Sequence, residues 1–355
     1  MTEARTDRYS WRLVETGKPL ERVDGAARNP EPGEVVVEIA GCGVCHTDIG
    51  FFDGDVATNA GLPIVLGHEI SGTVVEAGDG AGDWLGKDVL VMAVIPCGDC
   101  AMCAAGEGNL CPSRMSPGND LDGGFATHIV APASGVAAIE NLPEEYELAD
   151  LSVVADAVTT PLQAVRRAEV GPGDFVVVVG VGGIGGYALQ IAAASGATAV
   201  AIDIDDAKLD PLLDYGAAAI VNSRGLSPFD VRAKVREHAK ALGAGRTGWK
   251  IFETSGTAPG QETAFGLLGQ SGTLAVVGFT MDKVTIRLSN LMAFNATVFG
   301  TWGCPPDRYP EAIELVTSGQ IKVLPFTRKV PMSDVATVLE EAHAGSDPRR
   351  TILIP

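Results

Sequence analysis

The sequence has few basic residues for its length. Lysine and arginine number 26 against 45 aspartates and glutamates, so the formal net charge is −19 over 355 residues. Proteins that bind nucleic acid or dock on anionic membranes present a basic surface, and this composition argues against both classes. Hydrophobic residues make up 46% and charged residues 20%, as in a globular protein.

Targeting signals and repeats are also missing. The N-terminus has no basic segment followed by an apolar one, so we expect no signal peptide and a cytoplasmic protein. Residues 175–202 carry no charge over a length that could span a bilayer. Glycines interrupt this run, however, and the pattern favours a strand, a tight loop and a buried helix.

The hydrophobic pattern changes along the chain. Short apolar runs at 35–39, 72–75 and 88–91, separated by turn residues, predict a β-rich or barrel-like region in the first third. From about residue 150, apolar strands at 175–179, 199–202, 249–252 and 273–277 alternate with helical segments. This alternation predicts a parallel, doubly wound α/β sheet. A helix at 310–317 and a strand at 351–354 are expected near the end.

Four of the seven cysteines lie within fifteen residues. Cys97, Cys100, Cys103 and Cys111 follow a turn-rich C-x2-C-x2-C-x7-C pattern. Without a secretory signal, such a cluster indicates metal binding rather than disulfides. Four thiolates complete a tetrahedron around zinc and leave no open position, so we expect a structural zinc site.

A glycine fingerprint follows the strand at 175–179. Gly180 permits a tight turn, Gly182 permits close approach of a pyrophosphate, and Gly185 permits helix–strand packing, with Gly183 and Ile184 between them. Asp203, at the end of the next strand, can accept hydrogen bonds from the adenine ribose. A 2′-phosphate would meet Asp203, Asp205 and Asp206, which favours NAD over NADP. The alternative is a glycine-rich turn that binds nothing.

A second constellation combines the segments 43–48 and 67–72. Cys45 and His68 are residue types that ligate zinc. Together with the four-cysteine loop, these segments resemble the zinc-containing medium-chain dehydrogenases, the alcohol dehydrogenase family, over essentially the whole chain. The resemblance implies a GroES-like catalytic domain at 1–152 with a zinc lobe at about 95–112. A Rossmann NAD-binding domain at 153–295 and a return to the catalytic domain at 296–355 would follow.

The resemblance also implies a catalytic zinc beside the structural one. Cys45 and His68 match the family's first two catalytic ligands, and Glu69 matches a nearby glutamate that can approach the metal. Asp156 stands where the third ligand is usually cysteine, and it either ligates zinc or orients a neighbour while water completes the shell. Thr47 matches the hydroxyl that takes the alcohol proton, unless it only begins a helix. Gly50 replaces the histidine that relays this proton in many members.

The remaining cofactor positions come from the resemblance alone. His46 and Arg350 match residues near the pyrophosphate, and Lys208 matches one near the adenosine ribose. Val277, Gly278 and Phe279 match the loop beside the nicotinamide. The family further implies a homo-oligomer, either a tetramer or a dimer.

The substrate is the least determined feature. Segments 116–125, 155–161, 249–256, 287–294 and 301–304 resemble a subfamily, the 6-hydroxycyclohex-1-ene-1-carbonyl-CoA dehydrogenases, which implies oxidation of a secondary allylic alcohol to the 6-oxo enone. The net charge opposes an anionic acyl-CoA substrate at long range. The alternatives are a conjugate (ene) reductase, a dehydrogenase of small alcohols and a non-catalytic NAD-binding protein.

Overall fold

The computed structural model describes residues 7–25, 27–344 and 347–355, with the side chains of 343 and 344 outside the description. The chain divides into two compact units. The first contains Met1–Thr159, Gly303–Thr317 and Val323–Pro355, and the second contains Thr160–Trp302 and Ser318–Lys322. The domain boundaries expected at 152/153 and 295/296 stay predictions.

The first unit is built on antiparallel strands. Its strands and helices are β1 (Tyr9–Leu13), β2 (Glu21–Asp24), β3 (Glu34–Gly43), α1 (His46–Asp53), β4 (Ile64–Val65), β5 (Glu69–Ala77), β6 (Asp88–Val91), α2 (Ala101–Ala104), β7 (His128–Pro132), β8 (Val136–Ala138), α9 (Tyr309–Thr317), β15 (Thr327–Pro331), α10 (Val335–Ala344) and β16 (Arg350–Ile354). These bounds confirm the strands expected at 35–39, 72–75, 88–91 and 351–354 and the helix expected at 310–317.

Two sheets organise these strands. A small sheet has the order β2-β1-β4, and a seven-stranded sheet has the order β15-β16-β3-β5-β6-β8, with β7 paired to β3. The strands β3 and β5 pair closely because Gly72 has no side chain: a Cβ there would lie 2.1 Å from the carbonyl oxygen of Glu38. The register of this pair sets Gly43 opposite Glu69. Two candidate site segments therefore lie side by side at one end of the sheet.

The second unit is a doubly wound sheet. Its elements are α3 (Thr159–Arg167, which begins at the unit boundary), β9 (Phe175–Val179), α4 (Gly185–Ala194), β10 (Thr198–Asp203), α5 (Asp206–Leu209), β11 (Ala217–Asn222), α6 (Pro228–Ala241), β12 (Lys250–Glu253), α7 (Ala258–Leu267), β13 (Thr273–Val276), α8 (Ser289–Phe294) and β14 (Thr297–Gly300). The six strands are parallel, in the order β11-β10-β9-β12-β13-β14. This arrangement confirms the predicted parallel α/β sheet.

The order of the strands in this sheet indicates where the second unit can bind a ligand. The strand order reverses between β9 and β12, and open parallel sheets bind ligands outside the carboxyl ends of their strands at such a reversal. The charge-free run predicted as strand, loop and buried helix is β9, the glycine loop and α4, and all five residues of β9 are buried. In the part of the chain that the structure describes, no helix is long and apolar enough to cross a membrane.

Candidate active site

Four side chains of the first unit converge at one point. Ligand atoms of Cys45, His68, Glu69 and Asp156 all lie within 4.8 Å of one another. His68 Nε2 is 3.7 Å from Asp156 Oδ2, and the hydroxyl of Thr47 is 3.8 Å from Cys45 Sγ. Thiolate, imidazole and carboxylate are the ligands of zinc sites in enzymes, so the donor set fits this metal.

The local backbone fixes Cys45 and Thr47. The strand β3 ends at Gly43 and α1 begins at His46, so Cys45 is the residue immediately before the helix. The Cys45 side chain is buried, whereas Thr47 and His46 on the first turn of α1 are exposed. A buried thiol is thereby placed next to an accessible hydroxyl.

Asp48 organises the cluster, although the sequence analysis assigned it no role. Its buried carboxylate accepts hydrogen bonds from the backbone N–H of Cys45 at 2.9 Å and of Gly67 at 3.0 Å. The same carboxylate lies 3.3 Å from His68 Nδ1, which leaves Nε2 directed at the cluster. Asp48 is the third residue of α1, the position from which an acidic side chain reaches back to the N-cap backbone. This position was the signal in the sequence that could have indicated its role.

The carboxylates that face His68 raise the pKa of its ring. Burial alone lowers the pKa of His68, but the carboxylates of Asp48 and Asp156 outweigh it and raise the pKa well above its ordinary value. A metal ion would compete with protonation of this ring, because a histidine must be neutral to ligate a metal.

Glu69 is held by an arginine rather than by the other three residues. Arg350 Nε donates to Glu69 Oε2 at 2.7 Å, and Arg350 Nη2 donates to Glu69 Oε1. Both side chains are buried. Burial alone lowers the pKa of Arg350, and the Glu69 carboxylate outweighs it and raises that pKa. Such a paired, two-point ion pair leaves Cys45, His68 and Asp156 as the more available metal ligands.

Gly43 makes room for this ion pair. A Cβ at Gly43 would lie 2.1 Å from Glu69 Oε2, so the carboxylate occupies the space that any side chain would need. The predicted contact of Arg350 with a pyrophosphate stays a prediction, since the structure places its guanidinium on Glu69.

Asp156 directly follows a 3-10 helix, Leu148–Ala155, that is almost completely buried. The carbonyl oxygen of Ala155 accepts hydrogen bonds from the Thr159 hydroxyl at 3.0 Å and from the Tyr309 hydroxyl at 2.8 Å. The Tyr309 oxygen in turn accepts a bond from Ala93 N–H, and burial raises the pKa of this phenol. These bonds fix the backbone from which the Asp156 carboxylate reaches the cluster.

The four-cysteine loop forms a second cluster in the same unit. Sulfur–sulfur distances are 3.4 Å for Cys97–Cys111, 3.5 Å for Cys100–Cys103, 3.7 Å for Cys100–Cys111 and 3.9 Å for Cys97–Cys103. A tetrahedron with zinc–sulfur bonds of about 2.3 Å has sulfur atoms about 3.8 Å apart, so the cysteines fit zinc. A hydrogen bond from the backbone N–H of Cys97 is the main cause that lowers the pKa of Cys111 to about 7.

The glycine loop of the second unit leaves a space where a ligand would approach. Gly180 has φ +86°, and a Cβ there would lie 2.5 Å from Ser255 Cα. A Cβ at Gly185 would lie 1.9 Å from the Gly180 carbonyl oxygen. At Gly182, by contrast, a Cβ would meet nothing within 4 Å. Packing thus requires glycine at positions 180 and 185. Gly182 faces open space, as a pyrophosphate site needs.

Asp203 closes the loop from the end of β10. Its carboxylate accepts hydrogen bonds from the backbone N–H groups of Val181 at 2.8 Å, Ile204 at 2.8 Å and Asp205 at 3.1 Å. Lys208 lies on α5, one short turn further along the chain, and is half-buried. The carboxylate therefore holds the carboxyl ends of β9 and β10 together beside the loop that contains Gly183 and Ile184.

A buried glutamate that belongs to no sequence motif shapes the other side of this edge. Glu253, at the end of β12, accepts hydrogen bonds through Oε1 from Ser255 N–H at 2.8 Å and Gly256 N–H at 3.2 Å. Its backbone carbonyl accepts bonds from the N–H groups of Val277 and Gly278. Phe279 follows them with 70% of its surface exposed. An acidic residue directly after the predicted strand 249–252 was the signal in the sequence that could have marked Glu253.

Comparisons with known proteins agree with this architecture. Residues 31–141 match the family model for the alcohol dehydrogenase GroES-like domain, and residues 183–318 match that for zinc-binding dehydrogenase. An alcohol dehydrogenase from Geobacillus stearothermophilus is 31% identical over 341 residues, which cover 95% of this chain and 96% of the relative. D-arabinose 1-dehydrogenase (NADP(+)) from Saccharolobus solfataricus is 29% identical over 353 residues, which cover 97% and 96% of the two chains.

A solved structure extends the likeness to three dimensions. The alcohol dehydrogenase of the hyperthermophilic archaeon Aeropyrum pernix superposes with a TM-score of 0.87 at 29% identity, covering 98% of this chain and all of the other. The GroES-like domain and the Rossmann-type parallel sheet expected from the sequence are thus confirmed. The chain belongs to the zinc-dependent medium-chain alcohol dehydrogenase family of oxidoreductase enzymes.

Proposed function

We propose that the protein oxidises a secondary allylic alcohol to a ketone, with zinc and NAD as cofactors. The observation that carries this proposal is the cluster of Cys45, His68 and Asp156 beside the exposed Thr47 hydroxyl. Because Glu69 is bound to Arg350, these three residues would hold a zinc ion and leave its fourth position to the substrate. When bound, zinc supplies the Lewis acid that acidifies the alcohol, and NAD accepts the hydride.

The chain's own residues perform the proton chemistry. Oxidation removes a hydride from the carbinol carbon and a proton from its oxygen, and we assign the proton to the Thr47 hydroxyl. Asp48 accepts a hydrogen bond from the Cys45 backbone N–H and lies beside the His68 imidazole, so that the cluster keeps its geometry during turnover. Gly50, half-buried on α1, has no titratable side chain, and the proton passes from Thr47 to solvent.

The substrate that we favour is 6-hydroxycyclohex-1-ene-1-carbonyl-CoA, with the 6-oxo enone as product. The support is the resemblance of the five loop segments to dehydrogenases of this substrate, together with Gly50 in place of a relay histidine. The net charge of −19 opposes a polyanionic thioester, so this substrate requires local cations.

A substrate panel tests the assignment directly. Purified protein with NAD should turn over the cyclic hydroxyacyl-CoA with a kcat/KM at least about tenfold above that of matched small secondary alcohols, a difference of about 1.4 kcal/mol. Turnover of simple alcohols or polyols without the thioester would remove the CoA substrate and leave the alcohol dehydrogenase activity. No turnover of any alcohol, with fewer than two zinc ions per chain, would support a non-catalytic NAD-binding protein.

A conjugate (ene) reductase is the second candidate, and the glycine at position 50 favours it. Reduction of an enone at its β-carbon needs no protonation of the carbonyl oxygen by a relay. With NADH deuterated at the transferred position, deuterium at the carbinol carbon supports the dehydrogenase. Deuterium at the β-carbon would establish the reductase instead.

The nucleotide preference is part of the proposal. The acidic side chains of Asp203 at the end of β10, and of Asp205 and Asp206 at the start of α5, favour NAD, because they repel a 2′-phosphate. One residue acts in the opposite direction: Arg224 Nε donates to the Ile204 carbonyl at 2.9 Å and brings a cation to the same edge. We expect a kcat/KM ratio for NAD over NADP above one, falling in Asp203→Asn. A wild-type preference for NADP would contradict this assignment.

We further propose that the protein is a homo-oligomer, a tetramer or a dimer. On the second unit, Leu288 and Met292 are 67% and 80% exposed, and β14 lies at the edge of its sheet. An exposed strand edge with apolar neighbours favours association with another copy. Light scattering should give a mass above 36.7 kDa for the wild type and a smaller mass for Met292→Glu. Phe229→Glu, at an exposed phenylalanine on α6, is the control, and a monomeric wild type would contradict the proposal.

A further inference from the structure

Three loops follow the neighbouring strands β9, β12 and β13 of the second unit at their carboxyl ends. The loop after β9 is the glycine loop, the loop after β12 is residues 254–257, and the loop after β13 begins with residues 277–279. Open parallel sheets bind ligands at this edge, where the strand order reverses. Residues 254–257, named here the middle loop, therefore lie between two segments predicted to contact the cofactor.

The middle loop touches the glycine loop directly. The Thr254 hydroxyl donates to the carbonyl oxygens of Val179 at 3.1 Å and Gly180 at 2.6 Å. A Cβ at Gly180 would lie 2.5 Å from Ser255 Cα. A Cβ at Gly185 would lie 2.5 Å from the Thr254 hydroxyl oxygen. The two loops are thus in contact, with no room for a side chain between them.

The middle loop packs equally closely against the loop after β13. Gly256 has φ +62°, and a Cβ there would lie 2.7 Å from the Phe279 carbonyl oxygen. A Cβ at Gly278 would lie 2.3 Å from the backbone nitrogen of Gly256. The backbone carbonyl of Glu253 accepts hydrogen bonds from the N–H groups of Val277 at 2.9 Å and Gly278 at 3.0 Å. A displacement of Gly256 would therefore displace this loop as well.

The side chain of Glu253 fixes the shape of the middle loop. Its Oε1 accepts hydrogen bonds from the Ser255 N–H at 2.8 Å, the Ser255 hydroxyl at 2.5 Å and the Gly256 N–H at 3.2 Å. The residue is buried, and within the described part of the chain its Oε2 has no hydrogen-bond partner. Burial raises the pKa of Glu253. Because a half-satisfied buried carboxyl costs free energy, its presence indicates a role in function rather than in stability.

The order of the strands divides the two halves of a dinucleotide between these loops. Asp203, the last residue of β10, is predicted to bind the adenine ribose, and the glycine loop after β9 the pyrophosphate. Since β12 and β13 continue the sheet from β9 in the direction away from β10, the nicotinamide end would extend over the loops that follow them. We propose that Glu253 positions this end of NAD by holding the middle loop against both of its neighbours, an inference that rests on the NAD binding proposed above.

Titrations of the full-length protein with NADH and with ADP-ribose, which lacks the nicotinamide ring, test the proposal. In Glu253→Asp the carboxylate is shorter by one methylene group, which withdraws the acceptor from the Ser255 and Gly256 N–H groups. NADH affinity should therefore fall at least about tenfold, as expected for losing hydrogen bonds to a carboxylate. ADP-ribose affinity should stay within about twofold of the wild type, because its contacts lie on other loops.

Two further variants separate the position of the acceptor from its charge. Glu253→Gln removes the charge and keeps an acceptor in the place of Oε1, so it should bind NADH and ADP-ribose like the wild type. Glu262→Gln, at an exposed glutamate on α7, removes one negative charge elsewhere in the unit and should leave both affinities unchanged. The emission maximum of bound NADH, which reports the surroundings of the nicotinamide ring, should shift only in Glu253→Asp.

Unchanged NADH affinity in Glu253→Asp, or an equal loss of affinity for NADH and ADP-ribose, would overturn the proposal. A loss in Glu253→Gln as large as that in Glu253→Asp would overturn it too, and Glu253→Gln decides alone if Glu253→Asp does not fold. A wild type that binds neither ligand would refute the proposed nucleotide binding itself. Retained ADP-ribose binding in every variant keeps that function and confines a failure to the role of Glu253.

Discussion

The two clusters of potential metal ligands in the first unit differ in composition and in the structure that surrounds them. The four-cysteine cluster uses one ligand type on a turn-rich lobe, where Cys97 is exposed and only Cys111 is buried. The other cluster mixes thiol, imidazole and carboxylate, and three of its four members are buried. The first cluster lies in a segment with few buried residues of its own, whereas the second cluster lies among buried residues.

The fourth member of each cluster explains the difference in role. Cys111 completes a tetrahedron of thiols at distances that suit zinc. Glu69, in contrast, is held by Arg350, and the proposed function uses the remaining position of the second site for the reactant. A saturated site stabilises structure and an unsaturated site permits chemistry. Four substitutions test whether the two clusters differ in this way.

Cys103→Ser should cause the largest loss of stability. Structural zinc sites supply about 10 kcal/mol or more of folding free energy in small zinc domains, so losing one thiolate should strongly lower the thermal midpoint. Calorimetry and metal analysis measure the midpoint and the loss of one zinc per chain. Ser113→Ala, at an exposed serine of the same lobe, is the control. An unchanged midpoint despite the lost zinc would show that the lobe needs no metal.

Glu69→Gln should lower the free energy of unfolding by about 3–5 kcal/mol, because it leaves the buried Arg350 guanidinium uncompensated. The zinc content should stay that of the wild type, since Cys45, His68 and Asp156 remain. Chemical denaturation and metal analysis check the two expectations. Loss of one zinc from this variant would instead make Glu69 a resident ligand and the second site a closed one.

Asp48→Asn should weaken metal binding at the second site alone. Outer-shell partners of metal ligands contribute about 10- to 100-fold to affinity or activity, and Asp48 contacts both Cys45 and His68. Competition with a chromophoric chelator measures the affinity of each site. The four-cysteine site serves as the internal control, and equal weakening of both sites would contradict a local role for Asp48.

Gly182→Ala should have the smallest effect and should spare both metal sites. Its Cβ meets no protein atom, so the thermal midpoint should stay within about 1 °C of the wild type, since surface changes cost little. NADH affinity should fall about tenfold, because the methyl group enters the space kept for the pyrophosphate. Fluorescence titration measures this affinity. Unchanged affinity would place the nucleotide elsewhere.

The sequence was most informative where a local pattern of residues is compatible with only one local structure. The apolar run Phe175–Val179 predicted β9 with its bounds, and the glycine pattern predicted the loop that follows. The cysteine spacing likewise predicted a cluster of four sulfur atoms. Local patterns of this kind need no knowledge of distant contacts.

Contacts between segments that lie far apart in the sequence could not be predicted from local patterns. The Glu69–Arg350 pair joins residues 281 positions apart and arises because β5 and β16 both flank β3. The hydrogen bond from the Gly67 N–H to the Asp48 carboxylate likewise depends on packing that no single segment reveals. The resemblance to the family indicated a place for Asp156 near the metal ligands. Its distance of 3.7 Å from His68, however, depends on the folded structure.

Stepwise removal of zinc tests the central distinction most directly. Increasing chelator is added to the wild-type protein, and dehydrogenase activity, bound zinc and near-ultraviolet circular dichroism are followed together. We predict that the first zinc leaves with all of the activity while the fold persists, and that the fold is lost only with the second zinc. Activity that survives loss of the first zinc, or a fold that collapses with it, would contradict the assignment of one open and one closed site.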